Sequence, residues 1–563
     1  MSRKTSLFWR KALPLVRYRP ASALRAIFWY LTRRRVRASN IVRDSSRGLP
    51  LAYHYWLIAQ QEEITRLADA AGTSAEQWPT ITLVIHYSDD TPANLRRRSR
   101  RSVEQQLLKP NAIIETPIDD LASALRGVTG DYLFLLRAGD RLAESAIVRL
   151  ARFLHARPVA VLYGDEDVPS TGDGLPTPWF KGEWNRELFL ALDYLSSAVA
   201  IRTDLARRTE PILTQSGSPI DALLMAVTTS CDEDDVAHLP AILVHRHTDS
   251  SASNPHRAAA IVSALGAGVR CEKGPFDTVH VQWPLPQPFP LISIIVPTRD
   301  RAELLRTCIG SVDAHTDYRP FEWIVVDNES AEPETQDFLA ELSLRSDVRV
   351  IRSAGAFNFS RLNNIGVAAA AGEYVLLLNN DTEAFSPEWL GEMMRYAARD
   401  DVGAVGAQLL YADGSLQHAG VVIGMGEAAG HAHRFLPAGD PGYFRLPHAA
   451  QEVSAVTAAC LLVRKDRYMA VGGLDEEKFA VAYNDVDFCL RLKEAGWCNI
   501  YTPHAKLYHH ESKSRGSDFS VANRERYMRE LKNLQTRWGT RTFLDPLHSP
   551  HLDRYSETFQ PGF

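Results

Sequence analysis

The sequence predicts an α/β protein built from two tandem modules, each an open, mostly parallel sheet, with a basic helical arm in front of them. Three observations predict it. Apolar runs of strand length alternate with stretches of helical periodicity, and several of those runs end in clusters of polar residues. The pattern recurs on either side of a Pro-rich stretch, WPLPQPFP, from Trp283 to Pro290. The chain has 563 residues, 45% of them hydrophobic, with a formal net charge of -5. That is enough for several soluble domains and implies no strongly polyanionic partner such as nucleic acid.

The arm is the one strongly charged region. From Met1 to Gly48 the basic residues Arg3, Lys4, Arg10, Lys11, Arg17, Arg19, Arg25, Arg33, Arg34, Arg35, Arg37, Arg43 and Arg47 face a single acid, Asp44. Between them sit Leu7, Phe8, Trp9 and then Ile27, Phe28, Trp29, Tyr30. Such alternation suits a segment lying on an anionic membrane surface, and equally a solvated basic arm. No run approaches the roughly 20 apolar residues of a membrane span, and no signal-peptide core is present. Six scattered cysteines without a CxxC pair fit a reducing cytoplasm. Tyr53, Trp56, Leu57, Gln60, Ile64 and Leu67 follow helical spacing, predicting one amphipathic helix. The expected divisions are an arm (1–75), a first module (76–275), a linker (276–290) and a second module with a C-terminal helical extension (291–563).

Within the modules the repeat is direct. ITLVIHYSDD (81–90) matches ISIIVPTRDR (292–301), and GDYLFLLRAGDRL (130–142) matches GEYVLLLNNDTEA (372–384). LPAILVHRH (239–247) resembles TPHAKLYHHE (502–511), which pairs His245 with His509 if one residue is gapped. The first copy is shorter between its first two runs and is expected to lack a counterpart of FEWIVVDNES (321–330).

In an open parallel sheet, ligands bind beyond the C-terminal ends of the strands. In the second copy Pro297 to Asp300, Asp327 and Asn379 to Asp381 are expected to line that crevice. Neither GxGxxG nor GxxxxGK[ST] follows the first strand, which disfavours dehydrogenases and P-loop enzymes. Asp381 reads as a ligand for a hard divalent cation or as an Asx turn, with Ser386 and Pro387 starting the next helix. In AYNDVDFCLRLKEAGW (482–497) Asn484 and Asp487 read as a capping box. Asp485 at that helix start can serve the helix dipole or take a proton from a hydroxyl. In LYHHES (507–512) the adjacent histidines point to opposite faces, so one of them at most faces the crevice.

Read in order, PTRD, VDN, NN, NND, GGLDE, YNDVDFCLR and LYHHES followed by SRG resemble the inverting family-2 glycosyltransferases of glycosyltransferase-A fold. Within that family the resemblance is to bacterial O-antigen and cell-surface polysaccharide enzymes, including rhamnosyltransferase-like members. It covers about residues 290 to 520, and more weakly about 80 to 250. The resemblance implies transfer of a sugar from a nucleotide-sugar donor to a glycan or lipid-linked acceptor, at the cytoplasmic face of the inner membrane. It implies that Pro297, Thr298, Arg299, Asp300, Asp327 and Asn328 surround the nucleotide. Asn363, Asn364, Asn379 and Asn380 fall by the sugar diphosphate. Asp381 and His509 become ligands of Mn²⁺ or Mg²⁺, and Asp485 the general base. Gln417, His418, Ala459, Cys460 and Asp487 fall on the acceptor side. Two positions depart from the family: Asn379 replaces the first acid of DxD, and Asn484 replaces the Glu that precedes the base. In the first copy Arg137 and Gly139 stand opposite Asn379 and Asp381, and Pro219 opposite Asp485, so that copy is expected to be inactive. The rival readings are a nucleotidyltransferase, which would show a glycine-rich basic loop after the first strand, and a non-catalytic glycan-binding or assembly subunit.

Overall fold

A computed structural model describes the chain except residues 1–8, 10–11, 14, 33–37, 39–40, 43–44, 46–50, 75–77, 170–175, 215, 249–254, 511–520 and 563. The described residues fall into two compact units. The first comprises Met1–Trp184, Tyr194–Ala264 and Ser549–Phe563, the second Asn185–Asp193 and Leu265–His548.

The first unit holds β1 (Ile81–Tyr87), β2 (Ala112–Pro117), β3 (Tyr132–Arg137), β4 (Arg141–Leu142), β5 (Val161–Val168), β6 (Thr177–Trp179), β7 (Val199–Arg202) and β8 (Val236–His245). They form one sheet in the order β2-β1-β3-β7-β5-β8-β4, with β6 on β5. The second unit opens with a hairpin of β9 (Arg270–Lys273) and β10 (Val279–Gln282). Its sheet is built from β11 (Ile292–Thr298), β12 (Phe321–Asp327), β13 (Val348–Arg352), β14 (Tyr374–Leu378), β15 (Thr382–Ala384), β16 (Val402–Leu410) and β17 (Leu416–His418). The short pair β18 (Val421–Ile423) and β19 (Ala429–His431) stands apart, and β20 (Gln451–Val453), β21 (Cys460–Arg464) and β22 (Cys498–His509) complete the sheet. The order is β13-β12-β11-β14-β21-β16-β22-β15, with β17 on β16 and β20 on β22.

Strand for strand, the two orders coincide, apart from β13 and β20 in the second unit. One expectation is thereby corrected. The first copy does have a counterpart of the Asp327 strand: β2 pairs in parallel with β1 as β12 does with β11. What it lacks is β13. The register sets Tyr87 beside Pro117 where the second sheet sets Thr298 beside Asp327, so the strand is kept and its acid is not.

The central strands are apolar because both their faces are covered; β11 is buried along its whole length. The repeated GDY and GEY turns have a steric cause. A Cβ on Gly372 would lie 2.7 Å from Leu291 O and Ser293 N, and one on Gly130 2.8 Å from Thr82 N. The Gly372 N–H donates to Ser293 Oγ (2.8 Å) and the Gly130 N–H to Thr82 Oγ1 (3.0 Å), the same contact in both sheets.

The Pro-rich stretch is not a free connector. Trp283, Leu285 and Phe289 pack on the second core, Arg395 donates to Trp283 O (2.7 Å) and the Arg399 guanidinium lies 4.5 Å from the Trp283 ring centre. Its aromatic and aliphatic residues have a core to bury against, and the division between units falls earlier, at Ala264 and Leu265.

The amphipathic helix of the arm is observed as Leu51–Ser74. Trp56 packs on Phe180 (4.9 Å between centroids), and Tyr53 donates to Asp167 Oδ2 (2.6 Å). A preceding helix, Pro20–Leu31, buries Ala23 and Ala26 and leaves Leu24, Phe28 and Leu31 exposed by 64%, 56% and 67%. Arg3, Lys4, Leu7, Phe8, Arg10, Lys11, Arg33, Arg34, Arg35, Arg37, Arg43 and Arg47 lie outside the described residues, as do Glu511, Ser512 and the SRG of the late motif. No helix among the described residues is long and apolar enough to cross a membrane.

Candidate active site

The apolar strand β14 ends at Leu378, and the turn Asn379 to Asp381 leads into β15, which pairs antiparallel with the end of β22 and sets Thr382 opposite His509. Two buried strands therefore carry an amide, an acid and an imidazole to one corner. Asp381 Oδ1 lies 3.1 Å from His509 Nε2, and Asn379 Nδ2 lies 3.2 Å from the same nitrogen. Asp381 and His509 are only 4% and 9% exposed. Gln417 grips His509 twice, with Oε1 2.7 Å from Nδ1 and Nε2 donating to the backbone O at 3.2 Å.

That grip fixes the tautomer. A Gln Oε1 is only an acceptor, so Nδ1 of His509 carries a proton, and Nε2 faces Asn379 Nδ2 and the Asp381 carboxylate. Asn379 Nδ2 donates to that nitrogen from 3.2 Å, and Asp381 Oδ1 lies 3.1 Å from it. Asn379 Oδ1 is also buried without a hydrogen-bond partner. An acid, an imidazole whose far nitrogen is held and an orphaned amide oxygen form a donor set that fits Mn²⁺ or Mg²⁺. Among the described residues no group of three or more His, Cys, Asp or Glu is assembled. The corner offers two such residues plus the amide. The turn reading of the neighbourhood is modified too: the next helix is Trp389–Ala397, with Glu388 rather than Ser386 at its N-cap.

Along the other strand ends, Asn380 Nδ2 donates to Thr298 Oγ1 (3.1 Å), which joins the turn to β11 just after Pro297. Asp327 is buried; its Oδ1 accepts the Ser330 N–H (3.0 Å) and its Oδ2 lies 3.3 Å from Arg352 Nε. Asp300 Oδ1 accepts the Ala331 and Glu332 N–H groups (2.7 and 2.9 Å), and Asn328 Nδ2 donates to Ser353 O and Gly355 O (3.0 Å each). These polar groups hold three loops at one rim, with Arg299 exposed beside them.

Asn363 and Asn364 are spent elsewhere. Asn363 is fully buried and donates to Phe359 O in its own helix (2.9 Å). Asn364 Oδ1 accepts from Tyr468 OH (2.6 Å) and the Leu474 N–H (3.0 Å), while its Nδ2 donates to Leu474 O (2.9 Å). Asn364 ties the helix Phe359–Ala369 to the loop packed on it, while Asn363 is turned into its own helix with Oδ1 buried and unpartnered among the described residues, so the expected diphosphate contact is corrected to burial within the fold.

Asp485 sits in the first turn of the helix Asn484–Glu494 and is partly exposed. Its Oδ1 accepts its neighbour's N–H, from Val486 (2.9 Å), and its Oδ2 accepts the Ala458 N–H (3.1 Å). The next residue, Ala459, accepts the Asn379 N–H through its backbone O (3.0 Å). The dipeptide Ala458–Ala459 is thus a strut that holds Asp485 at one end and the Asn379 turn at the other. Sequence reasoning missed Ala458; the only signal was a pair of small residues, which lets two backbones approach.

The capping box is not formed. The N-cap is Tyr483, at φ 62°, and Asn484 Nδ2 donates to Val481 O (2.7 Å). Asp487 turns inward, fully buried, where Arg491 Nε (2.9 Å) and Trp538 Nε1 (2.9 Å) donate to it and Arg537 Nη1 lies 3.2 Å away. It is a structural ion-pair centre and not an acceptor contact. Cys460 is likewise in the core, 3.8 Å from Met393 Sδ, and burial pushes its thiol far above the ordinary range. His418 is fully buried, with Nδ1 2.9 Å from His431 Nδ1; burial, with His431 and His509 adding to it, holds its pKa well below 6.5.

In the first sheet Gly139 takes the place of Asp381, since each lies seven residues beyond the paired Tyr132 and Tyr374. Arg141 pairs with His245 as Glu383 does with Tyr508, so Arg246, and not His245, stands where His509 stands. The register holds no gap here, so the expected pairing of His245 with His509 is corrected by one residue.

Residues 293–465 match the model of the glycosyl transferase family 2. The chain is 38% identical over 450 residues to an uncharacterised protein of Sinorhizobium fredii, covering 76% of this chain and 49% of that one. It is 33% identical over 522 residues to the O-antigen biosynthesis protein RfbC of Myxococcus xanthus, covering 83% of this chain and 40% of that one. A shorter stretch of 74 residues is 40% identical to an N-acetylglucosaminyl-diphospho-decaprenol L-rhamnosyltransferase of Mycobacterium tuberculosis, covering 13% of this chain and 24% of that one. The chain therefore spans half or less of the length of these relatives. Residues 293–465 of the second unit, on a parallel-rich α/β sheet, are therefore a glycosyl transferase family 2 domain.

Proposed function

We propose that the second unit transfers a sugar, with inversion, from a nucleotide-sugar donor to a glycan or lipid-linked acceptor in bacterial surface polysaccharide synthesis. The observation that carries this reading is the Ala458–Ala459 strut. It ties the acid suited to deprotonate an acceptor to the corner suited to hold a donor diphosphate, so the distance between them is set by two adjacent residues.

In this reading Asp327, Asp300, Asn328 and Arg299 border the nucleotide, and Asp381 and His509, with Asn379, hold a divalent cation. When bound, that cation supplies positive charge against the departing diphosphate. Asp485 takes the proton of the acceptor hydroxyl as its oxygen attacks the anomeric carbon opposite the leaving group. The Ala458 N–H holds the carboxylate in place and leaves it partly open to the crevice. Gln417 orients His509, and the backbone of Ala459 anchors the turn. The exposed face of Leu24, Phe28 and Leu31, with Arg17 and Arg25 also exposed, supports contact with an anionic membrane surface. The names of the relatives above support the polysaccharide setting.

The test is a panel of nucleotide sugars with Mn²⁺ or Mg²⁺, read as released nucleoside diphosphate. Asp485→Asn is expected to lower turnover by about 100-fold or more with donor KM little changed. Asp381→Ala is expected to abolish metal-dependent turnover. No turnover across the panel, with tight glycan binding that survives both substitutions, would make the second unit a binding subunit instead.

A further inference from the structure

The turn that leads into Asp485 is held in a conformation that its own residues disfavour. Tyr483, two positions before Asp485, takes φ 62° and ψ 10°, the left-handed region that a residue with a Cβ rarely adopts. Such a residue persists only where its surroundings over-determine it. Three sets of contacts do so here. Ser360 binds the start of the turn, its N–H donating to Ala480 O (3.2 Å) and its Oγ to Phe479 O (2.5 Å). From the helix side, Asn484 Nδ2 donates to Val481 O (2.7 Å) and the Asp487 N–H to Tyr483 O (2.9 Å).

The third set comes from the helix Val521–Trp538, which lies outside residues 293–465. Glu530 on that helix is 2% exposed, and its carboxylate accepts two consecutive N–H groups of the turn, Oε1 that of Val481 (3.2 Å) and Oε2 that of Ala482 (2.9 Å). Charge-assisted bonds to successive N–H groups fix both peptide planes. Three positions earlier, and so on the same helix face, the Tyr527 hydroxyl lies 2.7 Å from the Tyr483 hydroxyl, with the ring centres 5.8 Å apart. Glu530 therefore holds the backbone before the left-handed residue, and Tyr527 holds that residue's side chain. The helix is seated on the core by other residues, Leu531, Leu534 and Trp538.

We propose that Glu530 and Tyr527 are positioning residues for the transfer reaction, setting the direction in which the helix Asn484–Glu494 presents Asp485 to the acceptor hydroxyl. The inference rests on the reading of Asp485 as the base. Asp485 leaves the turn directly after Tyr483 and Asn484, and the Ala458 N–H (3.1 Å) tethers its carboxylate from the other side. The donor corner is carried by different elements, β14, β15 and β22. Loosening the turn thus displaces the proton acceptor relative to the donor, and proton transfer demands that the two be in hydrogen-bond reach.

The test is nucleoside diphosphate release by the full chain with Mn²⁺, measured on each nucleotide sugar of the panel that wild type turns over. Glu530→Gln is expected to lower kcat about 10-fold and Tyr527→Phe about threefold, with donor KM changed by less than about twofold. In an Asp485→Asn background neither is expected to lower kcat further, because no base is left to aim. A merely structural role would instead take the same factor from both backgrounds. Thermal melting checks that each variant is folded at the assay temperature, and Tyr527→Phe, which removes one oxygen, decides the matter if Glu530→Gln does not fold. Wild-type kcat in the folded variants, or an equal loss with and without Asp485, would overturn the proposal and leave Asp485 as the base. Full turnover by Asp485→Asn, or none by wild type across the panel, would overturn the reading of Asp485 and this inference with it.

Discussion

Gln417→Leu isolates the orientation of His509 from the chemistry at Asp381. Gln417 makes two buried contacts to His509, at 2.7 Å to Nδ1 and 3.2 Å to the backbone O. Leucine fills a similar volume and offers neither. The Nδ1 proton is then left without an acceptor in a buried site, at a cost of about 1 to 3 kcal/mol. The ring avoids that cost by rotating or by moving its proton to Nε2, and either response removes the lone pair from the corner. At about 1.4 kcal/mol per tenfold, the loss corresponds to roughly 10 to 100-fold in metal affinity. The assay is donor hydrolysis against Mn²⁺ concentration, with thermal melting as a control for folding. Half-saturation is expected to rise by that factor, while the rate at saturating Mn²⁺ falls much less. An unchanged half-saturation in a folded Gln417→Leu would refute the assignment of His509 as a ligand held by Gln417.

Asp487→Ala leaves Arg491 and Trp538 without their buried partner and is expected to destabilise the second unit by about 3 to 5 kcal/mol, seen as a lower urea midpoint. A folded variant of wild-type stability would contradict its structural role. Gly372→Ala and Gly130→Ala each force a Cβ against neighbouring backbone and are expected to cost about 1 to 3 kcal/mol in their own units. In the second unit His433, His504 and His548 are pushed down to about 3, about 3 and about 4, burial being the largest cause. Their folded pKa values lie below the unfolded 6.5, so their neutral burial costs nothing above that pH and destabilises as pH falls below it. The slope is at most about 1.4 kcal/mol per pH unit for each, and His504→Leu is expected to reduce it by one such contribution in urea titrations between pH 6 and 4. For the arm, co-sedimentation with anionic vesicles is expected to weaken with salt and to fall in L24S/F28S/L31S; binding unaffected by both would remove the membrane reading.

What was legible in the sequence was what local pattern controls. The uninterrupted apolar runs of β11 and β14 read as strands buried on both faces, and the polar residues after them as a rim. The repeat was also legible, because Gly130 and Gly372 are required by the same close approach of backbone. Register was not. The shorter first copy concealed β2, since its residues are less apolar than those of β12, and a one-residue slip paired the wrong histidine. Partners distant in sequence were equally out of reach. Asp487 was read from its neighbour Asn484, whereas its partners Arg537 and Trp538 come from a helix some fifty positions on. Asn364 resembled a ligand-facing amide until Tyr468 and Leu474 were seen to occupy it. No spacing rule could have placed Ala458 between Asp485 and Asn379, because both of its links run through backbone.

The internal cations of the first sheet have a thermal consequence. Arg246 and Lys181 both pair with the buried Glu166 inside the first unit, so that acid is answered at any dilution and in any buffer. In the proposed reading the corresponding corner of the second sheet takes part of its counter-charge from a bound cation. Heating in the presence of a chelator should therefore separate the two units, lowering the melting of the second and leaving the first where it was.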